Sequence, residues 1–199
     1  MSDHYFTQKP GVKHDRRIQD AVLKGRNYRF ATDAGVFSKG GVDYGSKVLI
    51  EALSLDSSAA VLDVGCGYGP IGIAAAALVP QGSVTMIDIN ERAVELAGEN
   101  AALNGINNVE VIQSDLFEAV KERKFDVILT NPPIRAGKAT VHQIFEEGWS
   151  LLNPGGQMWV VIQKKQGAPS ALAKLETLFA KVEEVTKDKG YRIYRAVKQ

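Results

Sequence analysis

Several things are scarce in this sequence, and each scarcity closes off a class of protein. Its 199 residues hold one cysteine, Cys66, which excludes an internal disulfide and any zinc site built from clustered cysteines. No metal site is expected. Nor is Cys66 read as a nucleophile: it sits between Gly65 and Gly67 with no histidine near it in sequence, so a packing role fits better. No run approaches the roughly 18 apolar residues of a membrane-crossing helix, and the opening Met1-Ser2-Asp3-His4-Tyr5 lacks the apolar core of a signal sequence. The expectation is a cytoplasmic protein with no membrane partner. Net charge is also scarce, at +1 in all, yet residues 1–30 carry +4, residues 31–156 carry −8 and residues 157–199 carry +5. An acidic middle suits a cationic ligand, and basic ends suit a polyanion if the fold brings them to one face. Solvated surface charge would give the same totals.

What is present is an alternation of short β-branched runs with helical segments. Val61–Val64, Val84–Ile87, Val109–Ile112, Phe125–Leu129 and Met158–Ile162 read as strands covered on both faces. Residues 71–79, 91–103 and 140–152 carry apolar residues at helical spacing. Asn90 is the expected N-cap of the second helix, Asn104-Gly105 its stop, and Asn153-Pro154-Gly155-Gly156 a turn before the next strand. Lys187-Asp188-Lys189-Gly190, between two further apolar runs, reads as a hairpin turn. Right-handed crossovers make this a Rossmann-like α/β fold, a single doubly wound and mostly parallel sheet. Residues 1–34 are polar and irregular, apart from a half-exposed strand around Tyr28 and Phe30; they are expected to form an extension packed on a main domain of residues 35–199.

The chain is organised around Val61-Leu62-Asp63-Val64-Gly65-Cys66-Gly67-Tyr68-Gly69-Pro70. An apolar run, an acid, three glycines at alternate positions and a helical segment describe a buried strand, a tight turn and a helix start, where free amides and bare backbone can cradle a nucleotide. Asp63 sharpens the reading. At the strand end it would face the ligand, repelling a pyrophosphate and attracting a cation. Asp88 lies at the end of the next strand, where a carboxylate can accept both ribose hydroxyls, as an NAD enzyme would also use it. Asp115 and Asn131 follow the next two strands, so all four converge on the carboxyl edge of the sheet, where ligands of such folds bind.

Taken together these motifs resemble class I S-adenosylmethionine-dependent methyltransferases, nearest to the small branch of ribosomal RNA guanine-N2 methyltransferases, over roughly the whole chain from Gly35 onward. The resemblance implies a seven-stranded sheet closed by a C-terminal antiparallel hairpin. It also implies S-adenosylmethionine as cofactor, S-adenosylhomocysteine as product, and a cofactor site made from Phe37, Gly45, Asp63, Gly65, Gly67, Gly69, Asp88, Ile89, Asp115, Leu116 and Asn131. Phe37 and Gly45 match a segment lying over the cofactor; Asp115 and Leu116 match its adenine contact.

Asn131-Pro132-Pro133-Ile134 carries the catalytic expectation. An exocyclic amine is a poor nucleophile because its lone pair is delocalised into the ring. Two acceptors, the Asn131 side-chain oxygen and the Pro132 carbonyl, can each take one N–H and aim the restored lone pair at a methyl group. The prolines lock the loop. The family usually has an aromatic residue where this chain has Ile134, so stacking on a base falls to Phe37, to Tyr44 or to nothing. Arg135, Lys138, Lys164 and Lys165 are candidate RNA contacts. The reading is an N-methyltransferase for a nucleobase amine in RNA, guanine of small-subunit ribosomal RNA foremost, as naked RNA or as part of a ribosomal particle. Rivals are a release-factor glutamine N-methyltransferase, a non-catalytic cofactor-binding factor in ribosome assembly, and an NAD-dependent oxidoreductase.

Overall fold

A computed structural model describes residues 6–199; the Met1–Tyr5 stretch, read above as lacking a signal core, lies outside them. Strands β1 (Arg17–Leu23) and β2 (Arg26–Thr32) form an antiparallel hairpin. Its turn residues Lys24 and Gly25 both have positive φ, 48° and 74°, the type I′ geometry that matches strand twist. This corrects the irregular stretch expected there. β1 was illegible because Ile18 and Val22 stay exposed.

The chain continues through α1 (Tyr44–Ala52), β3 (Ala60–Val64), α2 (Pro70–Leu78), β4 (Ser83–Asp88), α3 (Glu91–Leu103), β5 (Val109–Gln113), β6 (Phe125–Thr130), α4 (Lys138–Leu151), β7 (Leu152–Gln163), α5 (Ala168–Leu178), β8 (Lys181–Asp188) and β9 (Tyr191–Val197). α5 is not among the helices expected above. The main sheet has seven strands in the order β5-β4-β3-β6-β7-β9-β8, parallel from β5 to β7 and antiparallel at β9. This is the doubly wound sheet with a terminal hairpin that was expected. The order reverses between β3 and β6, and the crevice outside such a switch point is where open α/β sheets take their ligands.

Two apolar layers hold the sheet. Val61, Leu49, Ile73 and Leu96 belong to the layer with α1, α2 and α3; Leu62, Ile128, Phe145 and Leu175 belong to the layer with α4 and α5. α2 lies so close to the sheet that a Cβ on Gly72 would stand 2.4 Å from the Met86 sulfur. α3 begins where expected, with the Asn90 side chain accepting the Arg92 and Ala93 amides. Its far end does more than stop. The Asn100 side chain accepts from Ala31 N at 2.7 Å and donates to Ala31 O at 2.9 Å, and Asn104 repeats the pair on Arg29, both at 2.9 Å. Two amides one helical turn apart thus pair with β2 as a neighbouring strand would.

The expected turn at Asn153-Pro154-Gly155-Gly156 lies instead inside β7. There the register slips, Phe125 opposing Leu152 while Val127 opposes Gln157. The looped-out backbone stays paired through Gly155 N to Lys198 O and Lys198 N to Gly156 O, each 2.9 Å, so the segment is a bulge. Lys189 and Gly190 make the β8–β9 turn with φ of 48° and 83°. Among the described residues no helix is long and apolar enough to cross a membrane.

Candidate active site

The carboxyl ends of β3, β4, β5 and β6 surround a cavity of about 430 Å³, within the range of small-molecule sites. Gly65 and Gly67 line it with φ of 72° and 56°, and a Cβ on either would meet no atom within 4 Å. Bare backbone therefore borders open space that a bound group can fill. Gly69 differs. It caps α2 at φ 106°, and a Cβ there would press on Ile73 and Ala97, so it serves packing and is not part of the wall.

Asp88 stands in the wall, each carboxylate oxygen held by one amide, Gly67 N at 2.8 Å and Asn90 N at 2.9 Å. A carboxylate oxygen has capacity for a second donor, so the clamped group can still receive two hydroxyls. Burial pushes its pKa up to about 6, against the opposing pull of the amides it accepts from. Ile89, Asp115 and Leu116 also line the cavity. Leu116 has a left-handed φ of 47°, held by the Ser114 hydroxyl donating to its carbonyl at 2.7 Å. That conformation is costly for a branched side chain.

Two more of the expected cofactor residues, besides Gly69, lie elsewhere. Asp63 does not face the cavity: it is 1% exposed, and its Oδ2 accepts from Gly72 N at 2.9 Å at the start of α2. Strand alternation turns it toward α2, away from the α4 side that Leu62 and Val64 face. Its Oδ1 is buried without a hydrogen-bond partner among the described residues, and burial, with a smaller push from the Asp88 charge, raises its pKa to about 7. Asp63 thus anchors the first turn of α2 to the sheet. Gly45 lies against Tyr191, whose ring a Cβ would meet at 2.7 Å, and is a close-packing position.

Asn131, Pro132 and Pro133 form the cavity wall after β6. The Asn131 Nδ2 lies 3.1 Å from Ser46 Oγ and 3.4 Å from both carboxylate oxygens of Asp43. Pro133 O accepts from Ala136 N at 2.9 Å, while among the described residues no donor claims Asn131 Oδ1 or Pro132 O. Ile134 opens a 3₁₀ turn, Ile134–Ala136, and packs on the α4–α5 layer, so it offers the cavity nothing. Of the two candidate stacking rings, Phe37 lines the cavity. Tyr44 does not: it packs on Tyr191 at 5.9 Å, donates to Asp188 and lies under Lys189. Arg135, Lys138, Lys164 and Lys165 are exposed outside the wall. By contrast, Arg16, Arg17 and Arg29 of the N-terminal segment are exposed and paired with Glu99, Asp15 and Asp20.

Comparison with known proteins decides the family. The methyltransferase small domain family matches residues 27–195. The chain belongs to the methyltransferase small domain family. It is 52% identical over 200 residues to "Uncharacterized protein YbxB" of Bacillus subtilis (strain 168), covering all of both chains. It is 34% identical over 167 residues to the ribosomal RNA small subunit methyltransferase C of Escherichia coli (strain SMS-3-5 / SECEC), covering 82% of this chain and 47% of that protein. Among solved structures, the 16S rRNA N2 G1207 methyltransferase of Thermus thermophilus, in complex with AdoMet and guanosine, superposes with a TM-score of 0.81 at 28% identity, covering 96% of this chain and 52% of that one. The chain thus spans about half the length of the ribosomal RNA methyltransferases it matches, and the full length of YbxB. The expected S-adenosylmethionine cofactor accords with the family and with the AdoMet in that complex.

In this methyltransferase small domain the cavity also has walls that sequence reasoning missed. Thr140, Gln143 and Ile144 of α4 close one side; their helical spacing reads only as a helix face. Phe6 closes another. It is brought there because Gln8 O accepts from Glu91 N at 3.0 Å and Arg92 donates to Val12 O at 3.1 Å, contacts no sequence pattern announces.

Proposed function

We propose that this domain, with residues 1–34 as an extension on residues 35–199, is an S-adenosylmethionine-dependent N-methyltransferase acting on a nucleobase amine in RNA, with guanine N2 of small-subunit ribosomal RNA as its target. The observation that carries the reading is the pair of unclaimed acceptors, Asn131 Oδ1 and Pro132 O, in the one cavity that also holds the clamped Asp88 carboxylate. When bound, the cofactor supplies an electrophilic methyl group on a sulfonium. Asp88 holds the ribose hydroxyls, and Asp115 with the Leu116 amide reads the adenine edge. Asn131 and Pro132 each take one N–H of the target amine and draw its nitrogen toward tetrahedral. No strong base is required, since an alkylated aryl amine is acidic enough to lose its extra proton to water. The named relatives support RNA as substrate. The test is mass mapping of ribosomal RNA from a strain lacking the protein, followed by methyl transfer to that RNA and to the subunit containing it. One guanine should be unmethylated in the strain and restored in vitro. Full methylation of ribosomal RNA in that strain, or transfer only to a glutamine peptide, would overturn the reading.

Asp88 makes cofactor binding pH-dependent. Its pKa, raised by burial to about 6, means that lowering pH through that value protonates the acceptor of two hydroxyls. Affinity for S-adenosylhomocysteine should be level above pH 7 and fall about tenfold per unit below pH 6. Calorimetry between pH 5 and 8 checks this; a flat profile would remove Asp88 from the hydroxyl site.

Arg135 and Lys138 follow the catalytic loop directly and have no carboxylate partner within 4 Å among the described residues. If they neutralise phosphates, replacing both with Ala should flatten the dependence of log affinity on log salt by about 1.4 on single-stranded RNA, at about 0.7 per contact. An unchanged slope would make them solvated bystanders.

A further inference from the structure

The contact between α1 and the catalytic loop goes beyond the proposed function while resting on it. Asn131 is useful only if its oxygen, and not its nitrogen, faces the amine. Nothing in an Asn-Pro-Pro loop by itself decides this, because the two ends of a carboxamide are nearly the same size. The decision comes from 88 residues away. Asp43 caps α1, accepting from Ser46 N at 3.2 Å. The Ser46 hydroxyl donates its one proton to Asp43 Oδ1, which leaves Ser46 Oγ only lone pairs to offer. The Asn131 amide therefore faces three oxygens, Ser46 Oγ at 3.1 Å and both Asp43 oxygens at 3.4 Å, that can only accept from it. Its N–H groups must point there. Oδ1 is thereby turned the other way.

We infer that Asp43, with Ser46, is a positioning residue that holds the Asn131 amide with its oxygen toward the target amine and strengthens that oxygen as an acceptor. The strengthening follows from polarisation: an amide whose N–H groups face a carboxylate carries more negative charge on its carbonyl oxygen. Geometry supports a dedicated clamp. Ser46 is 4% exposed, so water does not compete freely for it. Tyr44, which follows Asp43, is fixed to the β8–β9 hairpin through Tyr191 and Asp188, so the start of α1 cannot drift from the sheet.

The test exchanges donor and acceptor. Asp43→Asn keeps a good helix cap and removes the charge. Single-turnover methyl transfer at saturating cofactor should fall roughly tenfold, the difference between a charged and a neutral hydrogen bond, with cofactor Kd and RNA Kd within about twofold of wild type. Asn131→Asp alone sets a carboxylate against Asp43, and its rate should fall to that of Asn131→Ala. The double variant Asp43→Asn with Asn131→Asp restores one donor facing one acceptor, and should recover at least roughly tenfold over Asn131→Asp. A merely structural Asp43 predicts no such recovery. Wild-type transfer by Asp43→Asn beside an inactive Asn131→Ala, or a double variant no faster than Asn131→Asp, would overturn the clamp alone. Wild-type transfer by Asn131→Ala would overturn the amine-activation reading beneath it.

Discussion

Asn131→Ala should transfer methyl about 10²–10³-fold more slowly than wild type at saturating cofactor, the usual cost of losing one preorganised polar contact at a reacting centre. Cofactor affinity should change far less. The substitution removes one of the two acceptors for the amine and adds no charge, while the Asp88 clamp on Gly67 and Asn90 and the Asp115–Leu116 turn do not involve Asn131. Folding should survive as well, since the loop is held by Pro132, Pro133 and the 3₁₀ turn that follows. Losing the amide leaves Asp43 and Ser46 paired with each other. Single-turnover transfer and calorimetry with S-adenosylhomocysteine together decide the matter. Wild-type transfer in the variant would mean that the amine is activated by something other than Asn131.

Asp88→Ala should show the opposite pattern. Two hydroxyls accepted by one carboxylate are two charge-assisted bonds of roughly 1.5–3 kcal/mol each, so cofactor affinity should fall by about 10²–10⁴-fold. The buried carboxylate also bears on the ligand-free fold. Its folded pKa of about 6 lies above the ordinary carboxylate range, so its contribution to stability is present at acid pH and lost as pH rises through that value. The alanine variant should consequently lose less stability than wild type between pH 5 and 7.5, even though it binds cofactor poorly. Calorimetry with S-adenosylhomocysteine and thermal melting across that range separate the two effects. Unchanged affinity would show that the ribose is held elsewhere. Tighter binding of NAD than of S-adenosylhomocysteine by the wild type would sink the methyltransferase chemistry proposed for this cavity.

What the sequence determined by itself was whatever a few consecutive residues decide. The alternation of β-branched runs and helical segments, the Asn90 cap, the Lys189-Gly190 turn and the Gly65-Gly67 backbone are local consequences of side-chain shape and backbone freedom, and they suffice for the sheet and for the edge of it that carries the site. Asp88, Asp115 and Asn131 were legible because each ends or follows a strand at that edge. Direction was harder. Asp63 belongs to the same motif, yet pleating turns it onto α2, and Gly45 looks like a ligand-facing glycine until Tyr191, far along the chain, is seen against it. β1 was missed because its apolar residues Ile18 and Val22 stay exposed and its pairing partner is β2 alone, and Phe6 because its place depends on Glu91 and Arg92. The tertiary structure alone decided which way the Asn131 amide faces. That choice is set by Asp43 and Ser46, and hydrogen-bond partners so distant in sequence leave no periodicity or spacing for a reader to find.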